Sequence, residues 1–176
     1  GIGHGLAGAG RFTIGASGSL SGTITGGAAG TDTLVQTDET NAWTITGANA
    51  GTVTDVGGGW TGIESLTGGS GADTFTIGAA GTLAGGIDGG AGIDTLVATA
   101  ATTWIVTGAN TGTATGLTGA WSNVENLTGG AGIDGFTINS GATLSGNIDG
   151  GLGANTLTQA DGTNSWVVTG ANTGTV

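Results

Sequence analysis

The sequence predicts an all-β fold, and within that class a parallel β-solenoid in which short strands stack along one axis. Three observations support this prediction. An aliphatic residue followed by a Gly-rich turn recurs roughly every 20 residues, as at Leu66, Ile87 and Val106. Three of these short periods form a longer repeat, which relates Leu66 to Leu127. Within each period large apolar residues alternate with Thr, which is the two-residue period of a β-strand.

Each short period is interpreted as one coil of about 20 to 21 residues, with three coils in each long repeat of about 61 residues. The long repeats span about 3–65, 66–126 and 127–176. Residues 1–176 are therefore expected to form a single repetitive segment of a longer chain. The expected coil starts are Gly3, Ile24, Ile45, Leu66, Ile87, Val106, Leu127, Ile148 and Val168.

The alternation also predicts how the strands stack. If each strand lies on its equivalent one coil away, at about 4.8 Å, every sheet is parallel. Leu66 should then lie on Ile87 and Ile87 on Val106, while Phe75 lies on Leu96. The handedness of parallel crossover connections favours a right-handed coil. Nine coils at this spacing would give a rod about 43 Å long.

Composition and charge exclude several classes of partner. The net charge is −11, with one Lys or Arg residue in total, Arg11. Nucleic acid and anionic membrane surfaces require a basic face, so neither is expected as a partner. No apolar run is long enough to cross a bilayer, so no membrane insertion is expected. The 43 Gly residues would suit a disordered chain, but the regular register of the apolar residues argues against disorder.

Catalysis is not expected. A nucleophile activated by a base requires His or Cys close to Ser, and the chain has no Cys and one His, His4, in an irregular first turn. The adjacent acids Asp38 and Glu39 could form a glycosidase pair, but they occur once and are expected to lie in a solvated turn. The sequence therefore predicts a protein that is not an enzyme.

The aromatic residues recur at two positions of the long repeat. Because equivalent Trp residues are three coils apart, their rings cannot form a continuous carbohydrate platform, and core packing is the expected role. Trp60 and Trp121 remain candidates for carbohydrate binding. The first position holds Trp43, Trp104 and Trp166, and the second holds Trp60 and Trp121.

A recurring GAN turn contains Asn49, Asn110 and Asn172. Asn tolerates the left-handed backbone region, and its side-chain amide can bond the backbone. These residues are therefore expected to shape turns.

One motif carries metal chemistry. The nonapeptide G-G-x-G-x-D-x-U-x, in which U is a large apolar residue, occurs at 68–76, 89–97 and 129–137. A near match at 150–158 has Asn in place of Asp, and 26–34 carries one extra residue. These residues resemble the haemolysin-type (RTX) calcium-binding repeat. That resemblance implies calcium as a cofactor, bound by Asp carboxylates and Gly carbonyls. The implied ligands are Asp73, Asp94, Asp134 and Asn155.

The alternative for this motif is that each Asp bonds the amides of its own turn and points into solvent. The chain also departs from the haemolysin-type pattern. That family uses two nonapeptides in each 18-residue coil, whereas this chain has one in each coil of about 20 residues and none in the third coil.

The 20-residue period and phrases such as NVENLTGGAGID and GIESLTGGSGAD resemble the repeats of filamentous-haemagglutinin-like and other giant bacterial surface proteins. The resemblance implies an extracellular adhesin or fibre, on or outside a Gram-negative cell. The expected partners are neighbouring coils, copies of the chain stacked head to tail, and surface glycans.

The alternative function is a ligand-binding solenoid for carbohydrate or ice. Ice binding would use paired Thr residues such as Thr74 and Thr76, but Val97 and Gly135 interrupt the expected array.

Overall fold

The computed structural model describes residues 8–160 and, beyond them, the backbone of residues 167–170 and 173–175. Throughout these residues the chain is all-β, so this part of the prediction is confirmed. The described part holds no helix that is long and apolar enough to cross a membrane. The expectations for Gly3, His4, Trp166 and Asn172 concern residues or side chains outside this part.

Most strands belong to two large sheets. The nine-stranded sheet contains, from edge to edge, β1 (Arg11–Ile14), β3 (Thr33–Gln36), β7 (Ser65–Gly69), β9 (Ile87–Gly90), β13 (Trp121–Ser122), β12 (Thr111–Ala114), β11 (Thr103–Gly108), β15 (Gly135–Ile138) and β17 (Thr156–Gln159). The eight-stranded sheet contains β16 (Ile148–Asp149), β14 (Asn126–Thr128), β10 (Thr95–Ala98), β8 (Thr74–Ile77), β4 (Ala42–Gly47), β5 (Ala50–Val53), β6 (Val56–Thr61) and β2 (Ile24–Thr25). A separate two-stranded sheet contains β18 (Val167–Gly170) and β19 (Thr173–Thr175).

The chain alternates between the two large sheets as it advances. It passes from β7 in the nine-stranded sheet to β8 in the eight-stranded sheet, then to β9 and β10 in turn. Apolar residues of both sheets contribute to one buried cluster. Each sheet is therefore apolar on its inner face, with Thr and other small polar residues outside.

The predicted parallel pairing is confirmed where neighbouring nonapeptide turns follow each other. Leu66 pairs with Ile87 in β7 and β9, and Phe75 pairs with Leu96 in β8 and β10, all in parallel strands. The register keeps large residues on the inner face and Thr on the outer face.

The prediction that every sheet is parallel is wrong. Strands β4–β6 and β11–β13 are three-stranded antiparallel meanders. Consequently Ile87 pairs with Trp121 and not with Val106. The chain reverses where Asn49 and Asn110 adopt left-handed φ values of 49° and 47°. The turn role expected for these two residues is confirmed.

The meanders also change the spacing of parallel partners. Phe75 and Leu96 pair across a single short period, but Trp43 and Phe75 are further apart in the sequence because two strands of a meander lie between them. One uniform coil, repeated three times, therefore does not describe the pairing. The third period of each of the first two long repeats forms the meander.

Within the two large sheets, a shift of one long repeat moves each strand to the opposite sheet. Trp43 lies in the eight-stranded sheet, and Trp104, its equivalent, lies in the nine-stranded sheet. The two environments are alike: Trp43 stacks on Phe75 with ring centroids 5.5 Å apart, and Trp104 stacks on Phe136 at 5.8 Å. The long repeats are thus structurally equivalent and face alternate sides.

Candidate functional site: a ladder of buried carboxylates

The Asp of each nonapeptide turn is buried. Asp73, Asp94 and Asp134 expose 1%, 0% and 0% of their surface. Each lies at the end of a Gly-rich turn, immediately before a strand. The alternative interpretation, in which these side chains point into solvent, is wrong, and the question becomes how a buried carboxyl group is satisfied.

One carboxylate oxygen accepts a backbone hydrogen bond from the adjacent strand layer. The N–H of Asn41 donates to Oδ1 of Asp73 (2.7 Å), and the N–H of Asp73 donates to Oδ1 of Asp94 (2.7 Å). The N–H of Asp94 in turn donates to Oε2 of Glu125 (2.8 Å). These four residues form what we call the carboxylate ladder.

The same arrangement recurs elsewhere in the chain. The N–H of Thr102 donates to Oδ1 of Asp134 (2.7 Å), and the N–H of Asp134 donates to Oδ1 of Asn155 (2.8 Å). Asp32 donates its N–H to Oε2 of Glu64 (2.8 Å). The motif therefore places one side-chain acceptor against a backbone donor of the preceding layer.

The first Gly of the motif makes room for the carboxylate. A Cβ at Gly89 would lie 2.6 Å from Oδ2 of Asp94, and one at Gly129 would lie 2.7 Å from Oδ2 of Asp134. At Gly68 the Cβ would collide with Oδ2 of Asp73. The G-G-x-G-x-D pattern is thus explained by the packing of the carboxyl group over its own turn.

The second carboxylate oxygen is different. Oδ2 of Asp73, Asp94 and Asp134 is buried and has no hydrogen-bond partner among the described residues. At the corresponding position, Nδ2 of Asn155 donates to the carbonyl of Gly150 (2.6 Å). A neutral amide therefore satisfies the turn better than an ionised carboxylate does.

Burial also changes the ionisation of the ladder. Burial raises the pKa of Asp73 above its ordinary value, against the effect of the hydrogen bond from Asn41. The pKa of Asp94 is raised from 3.8 to about 6, chiefly by burial and further by the nearby charges of Asp73, Glu125 and Asp88. The pKa of a carboxyl group rises when the group leaves water without a compensating cation.

The structure brings together the residues that the sequence proposed as calcium ligands, in two pairs: Asp73 with Asp94, and Asp134 with Asn155. The Oδ2 atom of Asp73 faces the same small space as the carbonyl of Gly89, since a Cβ on Gly68 would touch both atoms. Anionic and carbonyl oxygens suit calcium. The described residues contain no group of three or more His, Cys, Asp or Glu side chains that could hold a metal.

Sequence reasoning missed Glu64 and Glu125. Each accepts an Asp N–H through Oε2, and its Oε1 accepts a hydrogen bond from Asn49 or Asn110 at 2.8 Å. A signal was present, because both Glu residues occur at the same place in the long repeat, within GIES and NVEN. The GAN turn therefore positions the Glu that ends the ladder.

The four Trp side chains of the described part are buried at 0–1% exposure, which confirms their expected role in the core. Trp60 and Trp121 consequently offer no exposed ring to a carbohydrate. Arg11 lies exposed in the edge strand β1.

Comparison of the chain with protein-family models, with curated proteins and with solved structures found no match.

Proposed function

We propose that this chain is a structural or adhesive segment of an extracellular rod or filament, on or outside a Gram-negative bacterial cell. In this proposal the alternating strands form a right-handed parallel β-solenoid that carries one antiparallel meander in each long repeat. The segment belongs to a longer chain or stacks head to tail with copies of itself. Neither nucleic acid nor a membrane is a partner, surface glycans are proposed contacts, and the role is not catalytic.

The observation that carries the proposal is the bonding of each strand layer to the next. Parallel pairs such as Phe75 and Leu96 stack in register, and the carboxylate ladder adds a side-chain bond between the same layers. Stability in such an array arises mainly between neighbours, so the array can be lengthened without redesign. A chain with a single Lys or Arg also gives trypsin-like proteases little to cleave. These properties suit a spacer or filament outside the cell.

The experiment is to lengthen the chain by one and then two copies of residues 66–126 and to measure small-angle X-ray scattering. Residues 66–126 supply five strands to one sheet, β7, β9, β11, β12 and β13, and two to the other, β8 and β10. Because successive repeats exchange sheets, the average is about 3.5 strands per sheet, so the longest dimension should grow by roughly 17 Å per repeat at constant cross-section. Growth in cross-section, or a compact particle whose length does not increase, would contradict the rod.

Calcium is proposed as a structural ion of the same turns. Asp73 and Asp94 would hold it through Oδ2, with Gly carbonyls as further oxygen ligands. The cation would neutralise two buried carboxylates that otherwise repel each other. Asn155 is less suited than the Asp residues, because its Nδ2 occupies the corresponding position and donates to Gly150.

A second candidate function is ice binding by the outer face of the eight-stranded sheet. Thr44, Thr76, Val97 and Thr128 form one row across four neighbouring strands. Gly135, which interrupts the Thr pattern in the sequence, lies in the other sheet. Thermal hysteresis tests this candidate. Hysteresis that is lost in a Thr76→Lys variant would support it, and its absence from the parent chain would exclude it.

A further inference from the structure

We propose that the outer edge of β16 is a docking site for one kind of partner: a strand in which Trp is followed four residues later by Glu. β16 (Ile148–Asp149) is the end strand of the eight-stranded sheet and pairs with β14. Its equivalent one long repeat earlier, β9, pairs on both sides, with β7 and with β13. Among the strands that the structure describes, β9 has the Trp-bearing strand β13 as its second partner, and β16 has no second partner.

The pairing of a Trp-bearing strand with a strand equivalent to β16 occurs twice in the structure. Trp121 pairs with Ile87, and Trp60 pairs with Ile24, each in parallel strands. Both indole rings are buried, and a Cβ on Gly51 or Gly112 of the next strand would lie 2.6 or 2.5 Å from the ring. The Trp is therefore a buried anchor between two strands, the kind of residue that dominates binding energies.

The Glu makes the second part of the contact. Glu64 follows Trp60 by four residues and accepts the N–H of Asp32, and Glu125 follows Trp121 by the same interval and accepts the N–H of Asp94. Asn155 occupies the position equivalent to Asp94, one long repeat later. A docked strand would place its Glu on the N–H of Asn155 and end the series of Thr102, Asp134 and Asn155 as Glu125 ends the carboxylate ladder.

The hairpin that would lie on the other side of the docked strand also has an equivalent earlier in the chain. Hairpin β18–β19 repeats the register of β11–β12: Val168 pairs with Gly174 as Val106 pairs with Gly112. In the complete meander, β13 joins that hairpin to β9. A strand bearing Trp and Glu would join β19 to β16 in the same way, so the partner is the third strand of the meander that β18 and β19 begin.

This inference rests on the proposed rod, because a longer repetitive chain or a stacked copy is what would supply the strand. The probe is a fluorescein-labelled peptide of residues 117–128, which contains Trp121 and Glu125. Fluorescence anisotropy with the full chain should rise and saturate. The Trp121→Ala peptide should bind about tenfold more weakly or worse, because truncating a buried aromatic anchor removes much of the affinity. The Glu125→Gln peptide should bind several-fold more weakly.

A second measurement locates the site. The N–H of Ile87 donates to the carbonyl of Ala120 (3.2 Å), so the N–H of Ile148 should become protected from hydrogen exchange when the peptide binds. Amides of β1, at the edge of the other sheet, should not change. A copy of residues 115–128 appended after residue 176 keeps the native repeat spacing, because Thr175 is equivalent to Thr113, and should protect Ile148 in the same way. The same extension carrying Trp121→Ala is its matched control.

The proposal is overturned if neither the peptide nor the extension protects Ile148, or if the Trp121→Ala versions protect it equally. The outcomes separate the two proposals. Scattering that shows the rod lengthening while Ile148 stays unprotected would refute the docking site and leave the rod intact. Protection of Ile148 without lengthening would refute the rod and leave the docking site intact.

Discussion

The backbone N–H of Asp73 donates a 2.7 Å hydrogen bond to Oδ1 of Asp94, 21 residues further along the chain. This bond joins two strand layers through a side chain, in addition to their backbone pairing. It uses one oxygen of Asp94 and leaves Oδ2 buried without a partner among the described residues. The ladder therefore fixes the alignment of the layers while one oxygen of each of its two Asp carboxyl groups stays unsatisfied among the described residues.

Asp73→Asn should stabilise the chain at neutral pH in the presence of chelator. The amide keeps the acceptor for the N–H of Asn41, and its Nδ2 can donate to the turn as that of Asn155 does. Removing an unsatisfied buried acceptor should raise the free energy of unfolding by about 1 kcal/mol. Asp73→Ala removes Oδ1 as well and leaves the N–H of Asn41 without its acceptor, so it should lower the free energy of unfolding by about 1–3 kcal/mol. Urea denaturation measures both, and equal effects of the two variants would refute the argument.

Stability should fall as pH rises through the pKa of Asp94. The folded-state pKa, about 6, lies above the ordinary value of 3.8, so the folded state binds the proton more tightly than the unfolded chain does. This contribution is fully present below about pH 3.8 and is lost as pH rises through about 6. Urea unfolding at pH 4, 5, 6 and 7 should show the decline. Asp94→Asn should flatten it, and an unchanged slope in that variant would assign the effect to other groups.

Gly68→Ala should be strongly destabilising. The new Cβ would collide with Oδ2 of Asp73 and with the carbonyl of Gly89, neither of which can move without breaking the turn. We expect a loss of about 2–3 kcal/mol, the upper part of the usual range for single substitutions. Gly135→Ala is the matched control, because the nearest described atom to its Cβ would be Oγ1 of Thr156 at 3.7 Å. Thermal melting of both variants tests the prediction, and similar losses would show that packing over the first Gly is not the cause.

Trp43→Ala should lower the free energy of unfolding by about 3–5 kcal/mol, because it leaves a large cavity beside Phe75. The ring is fully buried and stacks on Phe75 at an interplanar angle of 14°. Trp43→Phe keeps the stack and removes an indole N–H that has no partner in the described part of the chain, so it should cost less than half as much. Chemical denaturation gives both values. A small effect of Trp43→Ala would mean that the site collapses around the missing ring.

Calcium should raise the melting temperature if the turns bind it. Extracellular modules bind calcium with dissociation constants on the order of 10⁻⁴ to 10⁻³ M, so millimolar calcium should stabilise by about 1 kcal/mol relative to chelator. Asp94→Asn should reduce the rise in melting temperature that calcium causes. Asn155→Ala should leave this rise nearly unchanged, because it does not alter the Asp73–Asp94 pair. Identical melting curves with calcium and with chelator would eliminate calcium as a ligand.

The sequence was sufficient to predict strands, their inner faces and part of their register. Leu66 with Ile87 and Phe75 with Leu96 follow from equal spacing and a two-residue period. The meanders did not follow, because parallel and antiparallel strands share that period. The reversal after Gly47 or Gly108 depends on left-handed Asn49 and Asn110, whose role in turns was expected but whose effect on strand direction was not.

The sequence predicted which residues form the candidate site but not that their side chains are buried. The motif identified Asp73, Asp94 and Asp134, and the structure brings Asp73 and Asp94 together. Their burial could not be predicted, since it depends on the Gly carbonyls and strand layers that close over the turn. Glu64 and Glu125 were missed because their contacts with Asp32 and Asp94 span 32 and 31 residues.

The exchange of sheets from one long repeat to the next has a consequence for any array of these repeats. A residue on the outer surface of one repeat faces one side of the array. The equivalent residue of the next repeat faces the opposite side. At any one such position, odd-numbered and even-numbered repeats can then diverge independently, and each class of repeat sets the chemistry that the position contributes to one flank. A single chain built from one kind of structural unit can therefore present two different surface chemistries, one on each flank.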